Sequence, residues 1–350
     1  MQDLKDLADS EGGYQPILIN GTEVNPGWRE CYERWQLLKP HLEGAETIMD
    51  IGSHYGYFTV NAAQMFGATP GAYNTVWSIE SDPRRAEIQQ RVLKENDLPN
   101  VILSRHLFTL QSARQLASSC FMADAVLLLS VAHYFPPDEL ADIIATISQL
   151  SPVLIIEFPS KDEVDVASRD NVQAADIDSI LRDNYEQLEV IGLGRSPKHG
   201  DVARPIYKCS NSYIGRMGKS YADSPSNKEH SLEYRSGRWH VDRHPRTYGG
   251  ITLEDLRRFG VMYPELSVLL RQAAERYQEL IDQRAGAVTD IHIRNVLKVG
   301  NGLEIIDFDE GVGQTIYGIP WDDYVKRTLS RGIDYHAKEF EQMWRGVWTP

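Results

Sequence analysis

Residues 47–58 read TIMDIGSHYGYF. Thr47, Ile48 and Met49 make a short apolar run, Asp50 ends it on a carboxylate, and Gly52 and Gly56 follow among small and aromatic residues. A glycine at the end of a buried strand lets a ligand come close to the main chain, and a second one at the start of the next helix permits tight packing. The spacing Asp-x-Gly-x-x-x-Gly is looser than the dinucleotide fingerprint, and no Lys-Ser or Lys-Thr follows, which excludes a P-loop. Taken alone, the motif is equally compatible with a plain tight turn.

Outward from this stretch the pattern alternates. Apolar runs at TVWSIE (75–80), VILSRH (101–106), ADAVLLLS (123–130) and PVLIIEF (152–158) read as strands. Between them FTVNAAQMF (58–66), RRAEIQQRVLKEND (84–97), LQSARQLAS (110–118) and PDELADIIATISQ (137–149) read as helices. On the N-terminal side, Cys31, Trp35, Leu38 and Leu42 recur at helical spacing. Strands that are apolar almost throughout and alternate with helices predict an α/β fold, a Rossmann-like, mostly parallel sheet covered on both faces. Such sheets bind ligands at the carboxyl ends of their strands, where Asp50, Glu80, Ser130 and Glu157 fall.

Near residue 205 the texture changes to a polar stretch rich in Gly, Pro and Ser (195–231), which suggests a boundary or irregular strands. The reading divides the chain into domains 1–208 and 209–350. Beyond the boundary lies a long helical pattern (253–283), and then a two-stranded hairpin turning at Gly300–Gly302.

The composition bounds the function. The 350 residues carry a net charge of −14, which argues against a general nucleic-acid binder. Three separated cysteines, Cys31, Cys120 and Cys209, suggest neither a disulfide framework nor a zinc site and fit a cytoplasmic setting. The acidic N-terminus lacks the apolar core of a signal peptide, and no stretch approaches the roughly 18 apolar residues of a membrane span. Recruitment to the inner membrane would require a partner.

The second strand gives the glycine turn its meaning. It ends SIESDP (78–83), with Glu80 where a carboxylate can accept both hydroxyls of a ribose. The bland alternative is a solvated acid at a strand end. This pairing resembles the S-adenosylmethionine-dependent methyltransferases of the Rossmann-like class, whose cofactor carries no phosphate and needs no phosphate loop. More narrowly, GYQPI (13–17), RECYER (29–34), DIGSHYG (50–56), SIESDPR (78–84), LLLSVAHYF (127–135), LIIEFPSKDE (154–163) and ARPIYKCSN (203–211) are similar to the bifunctional methyltransferase–kinases that cap bacterial polymannose O-antigen chains, the WbdD type.

The resemblance implies a set of roles. Asp50, Gly52 and Gly56 would form the turn that cradles the methionine portion of the cofactor, and Glu80 with Ser81 would bind its ribose. Tyr14 and Gln15 would touch the cofactor, and Arg34 would hold its carboxylate. Arg105, His106 and Leu107 would meet the adenine, and Ser130 and His133 would stand beside the transferring methyl. The structural alternatives are that Tyr14 packs, that Arg34 pairs with Glu30 or Glu33, and that His133 is a core histidine. The implied acceptor is a carbohydrate or sugar phosphate in lipopolysaccharide biosynthesis, with a glycan polymerase as an implied partner. Lys161, Arg195, Lys198, His199 and Arg204 are candidate cations for gripping the phosphate.

DIHIRN (290–295) followed by IIDFDEG (305–311) adds a second expectation. Kinases place a catalytic Asp five positions before a metal-binding Asn, then a second metal-binding Asp before Phe. Here these are Asp290, Asn295 and Asp307, which would serve ATP and Mg2+. No convincing glycine-rich loop precedes them: IGRMGKS (214–220) fits poorly, and Arg243 stands where a lysine would hold ATP phosphates. The tail therefore reads as a smaller, shortened kinase-like α+β domain.

Overall fold

A computed structural model describes residues 13–219, except 26, 67–73, 99, 118–121, 160–175 and 197–201, together with Leu4, Asp6 and Asp9. Beyond 219 it describes 229–235, 238–241, 251–253, 256, 259, 261, 269, 272–273, 275, 279, 296–299, 302–305, 315–316 and 319–320.

The expected strands form one sheet. They are β3 (Thr47–Ile51), β4 (Thr75–Glu80), β5 (Val101–Arg105), β6 (Ala125–Leu129) and β7 (Val153–Glu157), all mutually parallel. Two further strands, β8 (Gln187–Ser196) and β9 (Val202–Ser210), extend it to seven in the order β5-β4-β3-β6-β7-β9-β8. β9 is antiparallel to both of its neighbours, so the sheet is mostly parallel with one reversed strand. Of the two readings of the stretch near residue 205, a boundary or irregular strands, the chain there is strand and part of the sheet, and the division expected after residue 208 falls within β9. The order reverses between β3 and β6: from β3 the chain proceeds to β4 and β5 on one side, and from β6 to β7 on the other. A crevice opens at that switch point in folds of this kind.

Strand alternation splits the core in two. Ile48, Val76, Leu103 and Leu127 face α1 (Cys31–Leu38), α2 (Tyr57–Met65) and α3 (Pro83–Glu95). Met49, Trp77, Ile102 and Val126 face α4 (Leu110–Ala117), α5 (Pro137–Leu150) and α6 (Ile177–Asn184). Local chemistry supports these elements. Asp82 Oδ1 accepts from the Arg84 and Arg85 amides at 2.9 and 3.0 Å, and Pro83 occupies the first turn of α3. Leu140, Ile143, Ile144, Ile147 and Leu150 put one buried stripe along α5. A short hairpin, β1 (Ile17–Ile19) and β2 (Thr22–Asn25), precedes the sheet; its few residues gave no periodic signal.

Beyond the sheet, β10 (Tyr213–Lys219), β11 (Glu229–Arg235) and β12 (Arg238–Val241) pair antiparallel. Most of IGRMGKS is thus strand rather than a phosphate-binding loop. The expected hairpin forms from β14 (Val296–Val299) and β15 (Gly302–Ile305), and β14 also pairs with β13 (Ile251–Thr252). Among the described residues, no helix is long and apolar enough to cross a membrane.

Asp50 departs from its expected role. It is buried, and Thr59 on α2 donates to its carboxylate at 2.6 Å. The alternation that sends Met49 and Ile51 to one side sends Asp50 to the α2 side, where it anchors helix to strand. Burial pushes its carboxyl up to about 6 from the ordinary 3.8, against the pull of the Thr59 hydrogen bond. Between about pH 4 and 6 the folded chain holds a proton that the unfolded chain has lost, so this residue's contribution to stability falls as pH rises. Asp50→Asn keeps an acceptor for Thr59 and removes the titration. Relative to the parent, the variant should gain roughly 3 kcal/mol between pH 4 and pH 7 in urea unfolding.

Candidate active site

The turn after β3 is locked to the end of β4. Ile51 lies opposite Ile79, and the Gly52 and Ser53 amides both donate to the Ile79 carbonyl, at 2.8 and 3.2 Å. Gly52 has φ +73°, and a Cβ there would stand 2.3 Å from the Val131 Cγ2 atom. Main-chain conformation and the valine beyond β6 both demand glycine. Gly56 has φ +82° and begins α2, where a Cβ would meet the Gln89 side chain at 2.6 Å. Its role is helix packing, and it does not line the cavity described below.

Glu80 completes the lock. Its Oε2 accepts from the His54 amide at 2.7 Å, and its Oε1 accepts from the Asp82 amide at 2.8 Å. Burial raises its carboxyl above the usual range, and these two backbone donors offset part of that effect. An ionised carboxylate has about four acceptor positions, so two remain for hydroxyls of a ligand.

A cavity of about 840 Å³ opens at the carboxyl ends of β3, β4 and β6. It brings together Tyr14, Gln15, Arg34, Gly52, Glu80, Ser81, His106, Leu107, Ser130 and His133 from the sequence reading. Asp50 lies outside it for the reason given above. Arg105 does not line it either: it closes β5 beside Glu80, and the chain enters the cavity one residue later at His106. The N-terminal segment is fastened at the rim. The Trp28 and Arg29 amides donate to the Gly13 and Tyr14 carbonyls, at 3.0 and 3.1 Å, and the Tyr57 amide donates to Gln15 Oε1 at 3.4 Å. Tyr14 packs against both Trp28 and His54, with ring centroids 4.8 and 4.9 Å apart.

Arg34 is fully buried on α1 and pairs with Glu157 at the end of β7, rather than with Glu30 or Glu33. Arg29 reaches the same carboxylate, Nη2 to Oε1, at 2.6 Å. Ser130 donates its hydroxyl to Glu157 Oε2 and accepts from Arg204 Nη1 at 3.1 Å. Ser130 holds a left-handed φ of +60°, a strained conformation that this ring of partners over-determines. Burial would push the Glu157 carboxyl up, but the Arg34 and Arg29 guanidiniums outweigh it and hold it below the usual carboxylate range. Two arginines share one acid, and the Nε atoms of Arg29 and Arg34 have no hydrogen-bond partner among the described residues. Gly194 on β8 makes room for the pair, since a Cβ there would lie 2.3 Å from Glu157 Oε1.

Glu157 was placed at a ligand-binding strand end, but Arg29 and the pairing between them escaped the sequence reading. Arg29 and Glu157 join across 128 residues, which no local pattern reports. The available signal was an acid closing the otherwise apolar run VLIIE, a position that burial would make costly without a cation. His54 was also missed. It lines the cavity at φ +57°, and burial, with Arg85 nearby, pushes its imidazole down to about 3, so it is neutral at physiological pH. Arg204 lines the cavity, whereas Arg195 is exposed and gives only its carbonyl, which accepts from Arg29 at 2.8 Å. Lys161, Lys198, His199, Arg243, Asp290, Asn295 and Asp307 lie outside the described residues, and with them the kinase-like constellation.

No family model matches the chain, and no curated protein matches it. Solved structures similar to it include the bifunctional kinase-methyltransferase WbdD, at 14% identity over 87% of this chain and 82% of that one, with a TM-score of 0.46. The N-terminal domain of EvdMO1, in the presence of SAH and D-fucose, is similar at 14% identity over 60% of this chain and 95% of that one, with a TM-score of 0.42. Magnesium protoporphyrin IX methyltransferase from Synechocystis PCC 6803, with bound SAM, is similar at 17% identity over 51% and 76%, with a TM-score of 0.37. The assignment of the fold rests on the strand pairing itself.

The Gly52 turn is testable without any ligand. Gly52→Ala should cost roughly 2–5 kcal/mol in urea unfolding, from the left-handed main chain and from collision with Val131. Adding Val131→Ala should recover the collision share and leave the main-chain share.

Proposed function

We propose that the chain is an S-adenosylmethionine-dependent methyltransferase acting on a glycan or its terminal phosphate in surface polysaccharide synthesis. The observation that carries the cofactor reading is the lock between the Gly52 turn and Glu80. Backbone and acid stand side by side at the switch point of the sheet, in one cavity. The residues present fit the group. Glu80 has acceptor positions left for two ribose hydroxyls, and no phosphate-binding loop is needed. Arg34 would hold the carboxylate, while Tyr14 and Gln15 would cover the methionine portion. When bound, the cofactor supplies an electrophilic methyl group on a sulfonium. The protein's share is to align the acceptor with it and to keep water out, and such alignment carries much of the acceleration in group transfer.

The anionic acceptor is favoured by the cationic wall. Arg204 lines the cavity and donates to the Ser130 hydroxyl, where Arg29 and Glu157 also meet it. A phosphate monoester has a second pKa of about 6 and is already nucleophilic and anionic at neutral pH, so it needs no strong general base. His133 and the exposed Tyr134 stand on the turn after β6, where an acceptor would enter. The likeness of the quoted motifs to the O-antigen capping enzymes supports the glycan context.

Calorimetry with S-adenosylhomocysteine tests the cofactor reading. The parent should bind, and Glu80→Ala should weaken binding at least about tenfold by removing a charged acceptor of two hydrogen bonds. No heat of binding with the parent would overturn the reading. Transfer of labelled methyl to phosphorylated and unphosphorylated versions of one oligosaccharide tests the acceptor. Arg204→Gln should raise KM for the phosphorylated form about tenfold or more while leaving adenosylhomocysteine affinity nearly unchanged.

A further inference from the structure

The segment around Phe259 belongs by sequence to the second half of the chain, yet it is built into the first. Leu253, Leu256, Phe259, Val261, Leu269 and Ala273 are buried in the cluster that covers the α4–α5 face of the sheet. Val261 forms an antiparallel bridge with Ser104, so the segment also caps part of β5, the outermost strand on that side. Ser104 in turn accepts the Trp77 indole N–H at 2.8 Å. Phe259 itself is 1% exposed and sits edge-on to two rings. Its centroid lies 5.2 Å from Trp77 at 81° and 5.0 Å from His106 at 62°.

His106 is the link to the cavity. It lines the wall beside Leu107, and its amide donates to the Glu80 carbonyl at 3.0 Å. Its ring is fixed on one side by the Ser112 hydroxyl of α4 at 2.7 Å. It also meets the Phe259 ring. Edge-to-face geometry has a preferred orientation, so a phenyl ring here sets the tilt of the imidazole as well as filling volume.

We propose that Phe259 is a positioning residue for the nucleoside end of the cavity, acting through His106. The wall that receives an adenine is thus completed by residues far beyond the seven-stranded sheet. This inference rests on the cofactor reading above, and the test separates the two.

The experiment is a double-mutant cycle in the full chain, read with adenosine and with S-adenosylhomocysteine. Phe259→Leu keeps an apolar plug of similar bulk and removes the aromatic edge. It should weaken both ligands by the same factor, about three- to tenfold, because both share the nucleoside. In a His106→Ala background the same change should have no further effect on affinity. A purely structural role would lower the melting temperature but leave affinity untouched below the transition. Unchanged affinity for Phe259→Leu, or an equal loss with and without His106, overturns the proposal. The ring-proton shifts of His106 in the ligand-free, histidine-labelled chain give an independent readout. They should move in Phe259→Leu even if no adenosyl ligand binds, and unmoved shifts overturn the proposal. Absence of binding to the parent overturns the cofactor reading and the nucleoside role of Phe259 with it, whereas binding to the parent that Phe259→Leu leaves unchanged overturns the positioning role alone. Should Phe259→Leu fail to fold, Phe259→Met carries the same cycle.

Discussion

The amides of Gly52 and Ser53 converge on a single carbonyl, that of Ile79, and Glu80, the next residue, takes the amide of His54 in return. Together these bonds fasten the exit of one strand to the exit of its neighbour. They need a left-handed main chain at Gly52 and His54, and they need Glu80 to be buried with its lone pairs partly committed. Both demands cost stability, and the parallel pairing of all of β3 with Thr75–Ile79 of β4 supplies the frame that sustains them. The cavity exists because the strand order reverses beside this lock, leaving the α2 and α5 helices to start on either side of it.

The second organising feature is a buried acid shared by two guanidiniums. Charges removed from water repay their desolvation only with close geometry and further hydrogen bonds. Glu157 meets that condition through Arg29, Arg34 and the Ser130 hydroxyl. The arrangement draws on helix α1, strand β7, the turn after β6 and the reversed strand β9. Because β9 runs against its neighbours, an early residue of it, Arg204, reaches the same end of the sheet as Glu157, the last residue of β7.

The parallel strands were legible because each is apolar throughout and bounded by turns. The limits expected for the strand at 75–80 are those of β4. β8 was hidden because it leaves one edge to solvent, and β9 could be read only as a boundary or an irregular strand because it mixes Arg, Pro and Lys with its apolar residues. Among site residues, those on strand exits could be named from local pattern, since the switch-point rule points to them. Asp50 was misread because position at a strand end does not say which side of the sheet a side chain takes. Arg34 was singled out from its motif, yet its buried acid could not be found by counting along a helix. Glu157 lies 123 residues away and meets Arg34 only once the sheet has closed. Phe259 was invisible for a similar reason, being part of a helical pattern assigned to the other half of the chain.

The outermost strand β8 holds two glycines whose missing side chains are already spoken for. Leu37 fills the space above Gly192, and Glu157 with Arg34 fills that above Gly194. At these two positions even one methyl group would press on the hydrophobic or ionic interior. The outer border of the sheet therefore bounds the buried ion pair, and a substitution on that border reaches Glu157 and Arg34 without altering either of them.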